Sequence, residues 1–477
     1  MADVNRELTE EESKAFSRML QTIRTKRQRN MLRSAYNDSK KRLDKMGFSI
    51  PPHMRDFESA LGWPNKAVKV PARRWKPEDF TSTRTSELID DVREIMADPG
   101  VLSLEIQAAE ASMEHSVSFV FVGAGDVSAG EPEVVITART ALEATCETDP
   151  RTMRTTFALE LITRQKFLMY VPGKVLRLEM GEKEYRVTAE YRGIGNLVMC
   201  TPYIWGKSLE RPFGVSRISR PVMSFTDQGI RTMLRQEVNA EFYGAPQRTL
   251  MGADDAHFRD RNGKRISPFD ALMGGVWALP DTRDDETGEL VRPKLEQLVQ
   301  ATMQPHGDML RTIAMQVSSE TSIPVSYLGV IHDNPASADA IRATESDLVS
   351  VIEAELPNYG ASRVQVARHV AAIIAGEWTA AMERDFRGLQ SQFRDPGTAT
   401  TAQQADAGQK YVAAFPEGDP AIAMKRFGLK PQEIEQNLAY MKKQGAVQSV
   451  LDVIRSRQPQ QVEPGSGRPA LVGTVDA

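Results

Sequence analysis

The chain has 477 residues, 41% of them hydrophobic and 26% charged, an ordinary composition for a folded protein with length for about three domains. Its 60 Lys and Arg against 64 Asp and Glu leave a net charge of -4. That excludes a protein that coats nucleic acid through bulk basicity, because neutralising phosphates takes clustered cations.

The N-terminus, MADVNRELTEEES, has no apolar signal region, and no stretch reaches the roughly 18 apolar residues of a membrane span. Cys146 and Cys200 lie far apart in sequence, with no CxxC, which predicts free thiols in a reducing, cytoplasmic setting. Thr9 with Glu12 forms a capping box that predicts a long helix, with Phe16, Leu20, Ile23, Met31, Ala35 and Leu43 as its apolar repeat and Gly47 and Pro51-Pro52 as its stop. Between Arg18 and Lys45 stand 10 Lys or Arg, which read as a solvated face. A second helix is predicted from about Ser86 to Ala97, on Leu88, Val92 and Ile95, ending before Pro99-Gly100.

From Ser116 to Trp205 the hydrophobic period becomes two. SVSFVFV, EVVITA, TTFALELI, KFLMYV and YRVTAEY are strand-like runs separated by turn residues, a hairpin-rich β region. GAGDVSAG (Gly123 to Gly130) follows a strand but lacks GxGxxG spacing and leads into another strand, so it predicts a hairpin turn and not a phosphate loop. Pro221 to Tyr243 is helical again, with Met223, Ile230, Leu234, Val238 and Phe242 on one stripe and an expected Asp227–Arg231 pair on another face.

Residues 244–303 form a compact insert with strand-like runs (QRTLMG, GVWALP, LEQLVQATM) and polar turns. A further helix starts at Pro305 and carries Met309, Ile313 and Val317 at i, i+4, i+8 up to about Thr321. The loop Ser322 to Ser337 follows, with two prolines, a glycine and Asp333 as its one full charge. A longer helix begins near Ala338, with Ile341, Leu348, Ile352 and Leu356 on one side and Pro357 as a kink. After it come a strand at Leu389 to Phe393 and short helices over 401–457, with Thr401 and Gln404 as a capping box and Pro431 at a helix start. The tail from Gln458 is rich in Pro, Gly and Gln and is expected to be disordered.

No catalytic signature is present. His53, His115, His257, His306, His332 and His369 are isolated, and there is no GxxxxGK[ST] and no GxSxG. Asp254-Asp255 and Asp284-Asp285-Glu286 are the dense carboxylates, and their turn-rich surroundings read as solvated loops. On this basis no cofactor, no metal and no enzymatic activity are expected.

Three long stretches carry a resemblance. SIPVSYLGVIHDNPASADAIRATESDL (322–348), GFSIPPHMRDFESALGWPNKAV (47–68) and SRPVMSFTDQGIRTMLRQEVNAEFYGAPQRTLMGAD (219–254) resemble, in order and spacing, the portal proteins (head-to-tail connectors) of tailed bacteriophages, of the siphophage type of actinobacterial hosts. The likeness runs from residue 30 to residue 457. It implies an α+β, portal-type multi-domain subunit. That subunit would have a hairpin-rich β/helical wing at 1–218, stem helices at 219–243 and 304–321 bracketing a clip at 244–303, and a tunnel loop at 322–337. A long wing helix and strand at 338–398, a helical crown at 399–457 and a disordered tail at 458–477 would complete it.

The resemblance also implies a homo-oligomer, a dodecamer, around double-stranded DNA at one capsid vertex. The expected partners are a terminase motor, major capsid and scaffolding proteins and a head-tail adaptor, with no membrane. The expected site residues are His332, Asp333, Asn334 and Ser337 facing DNA, and Met223, Ile230, Leu234, Val238, Met309, Ile313 and Val317 packing the stem. Asp284, Asp285 and Glu286 are expected in a docking loop of the clip. Two other readings remain: a packaging-associated metal-dependent nuclease subunit, and a monomeric helical adaptor.

Overall fold

The structure, a computed structural model, describes residues 2–43, 59–84, 86–181, 184–244, 248–251, 282–283, 290–291, 294–297, 302–330, 338–397, 401–416, 418–429 and 433–444; for 2–4, 242–251, 282–297, 338–341 and 401–403 it describes at most the backbone. The chain divides into two compact units, Met1–Gly397 and Thr398–Ala477. Among the described residues it is a mixed α+β protein, as the sequence predicts.

In the first unit, β1 (Ala2–Arg6) leads into α1 (Glu10–Asn37) through the expected capping box, with Thr9 accepting from the Glu12 amide and Glu12 accepting from the Thr9 amide. The helix stops ten residues short of Gly47. The Asp38 amide closes back onto Ser34 and Tyr36, and Ser39 takes a left-handed φ of 57°. Met31 is exposed, not part of the apolar stripe; Ala15, Phe16, Met19, Ile23 and Tyr36 are the buried hydrophobic positions.

α2 (Trp63–Arg74), β2 (Pro77–Thr81), α3 (Glu87–Met96) and α4 (Pro99–His115) come next. The buried stripe of α3 is Ile89, Val92 and Met96; it keeps the expected Val92, while Leu88 and Ile95 sit at its edge. Pro99 is not a stop alone: it is the first residue of α4, where its missing N–H costs nothing, and Asp98 caps the amides of Gly100 and Val101.

Nine strands make two sheets. β3 (Val117–Ala124), β4 (Val134–Thr140) and β10 (Cys200–Ile204) form a three-stranded sheet in the order β10-β3-β4. β5 (Ala144–Thr148), β6 (Thr155–Thr163), β7 (Lys166–Val171), β8 (Lys174–Met180) and β9 (Tyr185–Arg192) form an antiparallel sheet closed by β1, in the order β1-β9-β8-β7-β6-β5. The GAGDVSAG segment is the expected hairpin, where Asp126 caps a short 3-10 turn ahead of β4.

Alternation decides the layering, since successive side chains of a strand point to opposite faces. Phe167, Met169 and Val171 of β7 meet Phe16, Met19 and Ile23 of α1, while Leu168 and Tyr170 turn to the three-stranded sheet, where Tyr170 lies 4.8 Å from Phe121. On the far side of that sheet, Val120 and Val122 pack on α3 and α4 and on α7 (Ala338–Ala375). Both faces of β3 and β7 are therefore occupied. Cys146 and Cys200 are free and buried in the same intersheet core; burial, and then Cys146, pushes the Cys200 thiol up.

α5 (Arg220–Gly244) and α6 (Gln304–Thr321) bracket strands β11 (Arg248–Met251), β12 (Thr282–Arg283), β13 (Leu290–Val291) and β14 (Lys294–Gln297). β11 pairs antiparallel with β14, and β12 with β13. GVWALP, Asp254, Asp255, His257, Asp284, Asp285 and Glu286 lie outside the described residues. After α7 come α8 (Ala380–Asp385) and β15 (Gln390–Phe393), which pairs with β2.

The second unit holds α9 (Thr401–Ala414), α10 (Pro420–Arg426) and a helical segment at 433–444. Phe427 packs so close to Gly408 that a Cβ there would lie 2.5 Å from the ring. Gly408 is the one buried residue among the unit's described residues, and Val412, Phe415, Ile422, Tyr440 and Met441 are exposed. Pro431 and the tail from Gln458 lie outside the described residues.

Candidate functional site

The site expected from the sequence is the helix pair and the loop that follows it. α5 and α6 run antiparallel. Ser219, just ahead of α5, donates to Glu320 near the end of α6 at 2.7 Å, and Asn239 near the other end of α5 donates to the Met303 sulfur at 3.5 Å. At 1.5 Å per residue they are about 37 Å and about 27 Å long. Of the expected packing residues, Ile230, Leu234, Ile313 and Val317 are buried, and Met223 and Val238 are partly buried. Met309 is 42% exposed on the single chain, because Leu310 and Ile313 take the inward positions of that turn. The Asp227–Arg231 pair does not form; Asp227 instead accepts the Tyr36 hydroxyl at 3.0 Å.

The loop is anchored before it is free. Ser322 adopts φ 55°, which ends α6, and a 3-10 turn at Val325–Leu328 follows, closed by Gly329 at φ 92°. The sequence reading of a plain loop missed this turn, which Pro324 and the left-handed Gly329 favour. Ile323 and Leu328 are buried with Ile313, Ala314, Val317, Trp63, Leu348 and Ile352. Each large apolar side chain so buried contributes about 1.5–3 kcal/mol. The Trp63 indole donates to the Leu328 carbonyl at 3.3 Å, and Ser318 to the Ile323 carbonyl at 2.6 Å. Arg217 ties α2 to the end of α6 by donating to the carbonyls of Ala67 and Thr321, each at 2.5 Å, while stacking over Trp205. Its burial lowers its pKa to about 10.

A polar latch closes the root of the loop. The Tyr327 hydroxyl donates to Glu345 of α7 at 2.5 Å and accepts from Arg74 of α2 at 3.1 Å, and Arg74 pairs with Glu345 at 2.8 Å. Burial pushes the Tyr327 pKa up, helped by its bond to Glu345. For Arg74 burial works downward, but Glu345 and Tyr327 prevail and hold it raised. Lys66 donates to the Tyr327 carbonyl. The structure therefore fixes the entrance of the loop, 322–330; His332, Asp333, Asn334 and Ser337 lie outside the described residues.

A second polar centre lies inside the first unit. Arg363 of α7 and Glu105 of α4 are both fully buried and paired at 3.0 Å. Arg363 also donates to Ser391, Glu78 and Gln392, and its guanidinium sits 4.6 Å over the Phe80 ring; Tyr203 donates to Glu105 at 2.8 Å. Arg363 thereby joins α7 to both strands of the β2–β15 pair. No group of three His, Cys, Asp or Glu able to hold a metal occurs among the described residues, and no helix among them is long and apolar enough to cross a membrane.

These features define a class: an α+β chain in which a long antiparallel helix pair, bracketing a small stranded insert, stands on a two-sheet body. The chain is similar to the portal protein of Mycobacterium phage L5, at 26% identity over 396 residues covering 79% of this chain and 77% of the relative. It is similar also to the portal protein of Mycobacterium phage D29, at 25% over 393 residues with the same shares. These relatives fit a siphophage portal of actinobacterial hosts, as the sequence resemblance implies. No family model matches the chain. Among solved structures, the neck of a native GTA particle computed with C12 symmetry aligns with 77% of this chain and 90% of that one, at 12% identity and TM-score 0.37. The neck of an empty GTA particle computed with C6 symmetry aligns over the same shares at 13% identity and TM-score 0.38.

Proposed function

We propose that this chain is the subunit of a portal ring, a dodecamer at one capsid vertex through which double-stranded DNA passes during packaging and ejection. The observation that carries this reading is the similarity to two mycobacteriophage portal proteins over 79% of the chain. In this reading α5 and α6 are the stem, the insert between them the clip, the two-sheet body with α7 the wing, and the helices after residue 398 the crown. Met309 and Met315, exposed on the stem of one subunit, suit seats in a neighbouring copy. The exposed apolar side chains of the crown suit the same kind of burial.

The loop would face the lumen, with His332, Asp333, Asn334 and Ser337 near the duplex. A lining with one carboxylate and small polar groups grips DNA weakly, which suits sliding, because strong retention comes from neutralised phosphates. Asp284, Asp285 and Glu286 would help dock the terminase motor, which would hydrolyse the ATP; this chain would perform no catalysis. Capsid protein, scaffold and a head-tail adaptor would be its other partners.

Light scattering and negative-stain imaging of the purified chain, alone and with capsid protein, test the reading. The expected result is a ring with a hole at least as wide as a duplex, about 20 Å. A monomer under both conditions overturns it and favours the adaptor reading.

A further inference from the structure

The exposed side of α2 carries Lys66, Lys69 and Arg73, opposite the buried Ala67, Val68, Pro71 and Ala72. With Asn65, Val70, Arg74 and Tyr327 they line an open groove of about 600 Å³, and no carboxylate lines it. Its cations are not equally satisfied. Arg74 is held by Glu345, and Lys66 reaches the Tyr327 carbonyl. Lys69 and Arg73 have no ion-pair or hydrogen-bond partner among the described residues. Like charges four residues apart on a helix repel one another, so this row lowers helix stability until an anion meets it. The floor of the groove is Tyr327, in the anchored root of the loop.

We propose that this groove binds the phosphate backbone of double-stranded DNA, so that the cationic contacts of the channel come from α2 and not from the charge-poor loop beyond it. The inference rests on the conduit reading above. From Lys66 to Arg73 the helix rises about 10 Å, over which a duplex presents roughly six phosphate charges. Two lysine ammoniums and an arginine guanidinium in a row can take phosphate oxygens, and phosphate contacts carry no base sequence, which fits DNA of any sequence. An acidic peptide is the poorer fit. A protein partner gains most of its affinity from buried aromatic or aliphatic anchors; Val70 is the sole aliphatic side chain in the groove, and its one aromatic, Tyr327, is already tied to Glu345 and Arg74.

The test is fluorescence anisotropy of a short mixed-sequence duplex with the full-length chain across a salt series. It compares the parent, Lys69→Gln/Arg73→Gln, Arg73→Gln alone, and Lys26→Gln on the exposed face of α1 as a control. The double variant is expected to flatten the slope of log affinity against log salt by about two, and the single variant by about one. Lys26→Gln is expected to change nothing. Slopes equal to the parent in both groove variants overturn the proposal. So does a parent that ignores the duplex and binds polyglutamate through Lys69 and Arg73. The ring measurement separates the two readings. A ring whose DNA affinity does not respond removes the groove and keeps the portal; a monomer whose slope does respond keeps the groove and removes the portal.

Discussion

Arg363 and the Lys69–Arg73 row are two opposite uses of positive charge within the first unit. Arg363 is fully buried, and every polar reach it has is met: a carboxylate, a serine, two carbonyls and two aromatic faces. Lys69 and Arg73 stand on a helix that supplies its apolar side to the core and leaves its cations open. A buried charge without partners costs several kcal/mol, so the interior accepts one only where a whole network is built around it. An open charge costs little and remains available to a ligand. The first arrangement therefore speaks of folding of the chain, the second of something the chain meets.

The largest effect should come from breaking the closed site. Arg363→Met leaves Glu105 buried without its counter-charge and is expected to cost about 3–5 kcal/mol, read as a lower denaturation midpoint. The double change Arg363→Met/Glu105→Leu should recover much of that loss. A single variant as stable as the parent would show that the pair does not hold α4 and α7 together.

An intermediate effect is expected from acid. His369 and His115 are neutral in the fold. Burial lowers His369 to about 3, with Arg368 adding to it, and lowers His115 to about 4, with Arg33 and Arg29 adding to it. Unfolding returns both to about 6.5, so the unfolded chain binds more protons below that pH. Stability is therefore expected to be flat above about pH 7 and to fall as pH drops from about 6.5 toward about 3. Glu12 adds a lower window. Burial opposes its charge, but Arg6 and Lys174 hold it at about 2, so its contribution is present above the usual carboxylate range and is lost as pH falls toward that value. Thermal midpoints across pH check both windows, and a midpoint that rises on acidification from neutral would contradict the assignment.

The smallest effect on stability belongs to the open site. Lys69→Gln/Arg73→Gln should leave the midpoint within about 0.5 kcal/mol of the parent, since no partner is lost. A large destabilisation there would mean that these cations are structural, and the contrast with Arg363 would fail.

The sequence made some of this legible and hid the rest for identifiable reasons. The capping box at Thr9, the hairpins from β3 to β9 and the Ile313–Val317 stripe could be read directly, because each is set by residues within one turn of each other. α4 was hidden because Pro99 marks a helix start as readily as a stop. β1 was hidden because a strand pairing across 184 residues, marked by Arg6 on Glu190, has no local signature. Within the site, Ile230, Leu234, Ile313 and Val317 followed from helical spacing. The Arg74–Tyr327–Glu345 latch and the groove on α2 join three elements far apart in the chain, and no spacing rule connects them. A run such as WPNKAVKVPARR, alternating apolar pairs with cations, was the one available signal.

The most direct test of the central claim is electron imaging of capsids halted during packaging, made with this chain carrying a bound label. The account predicts label at a single vertex, in a ring with duplex density running through its centre. Label spread over the shell, or a vertex ring with no DNA through it, would contradict the account.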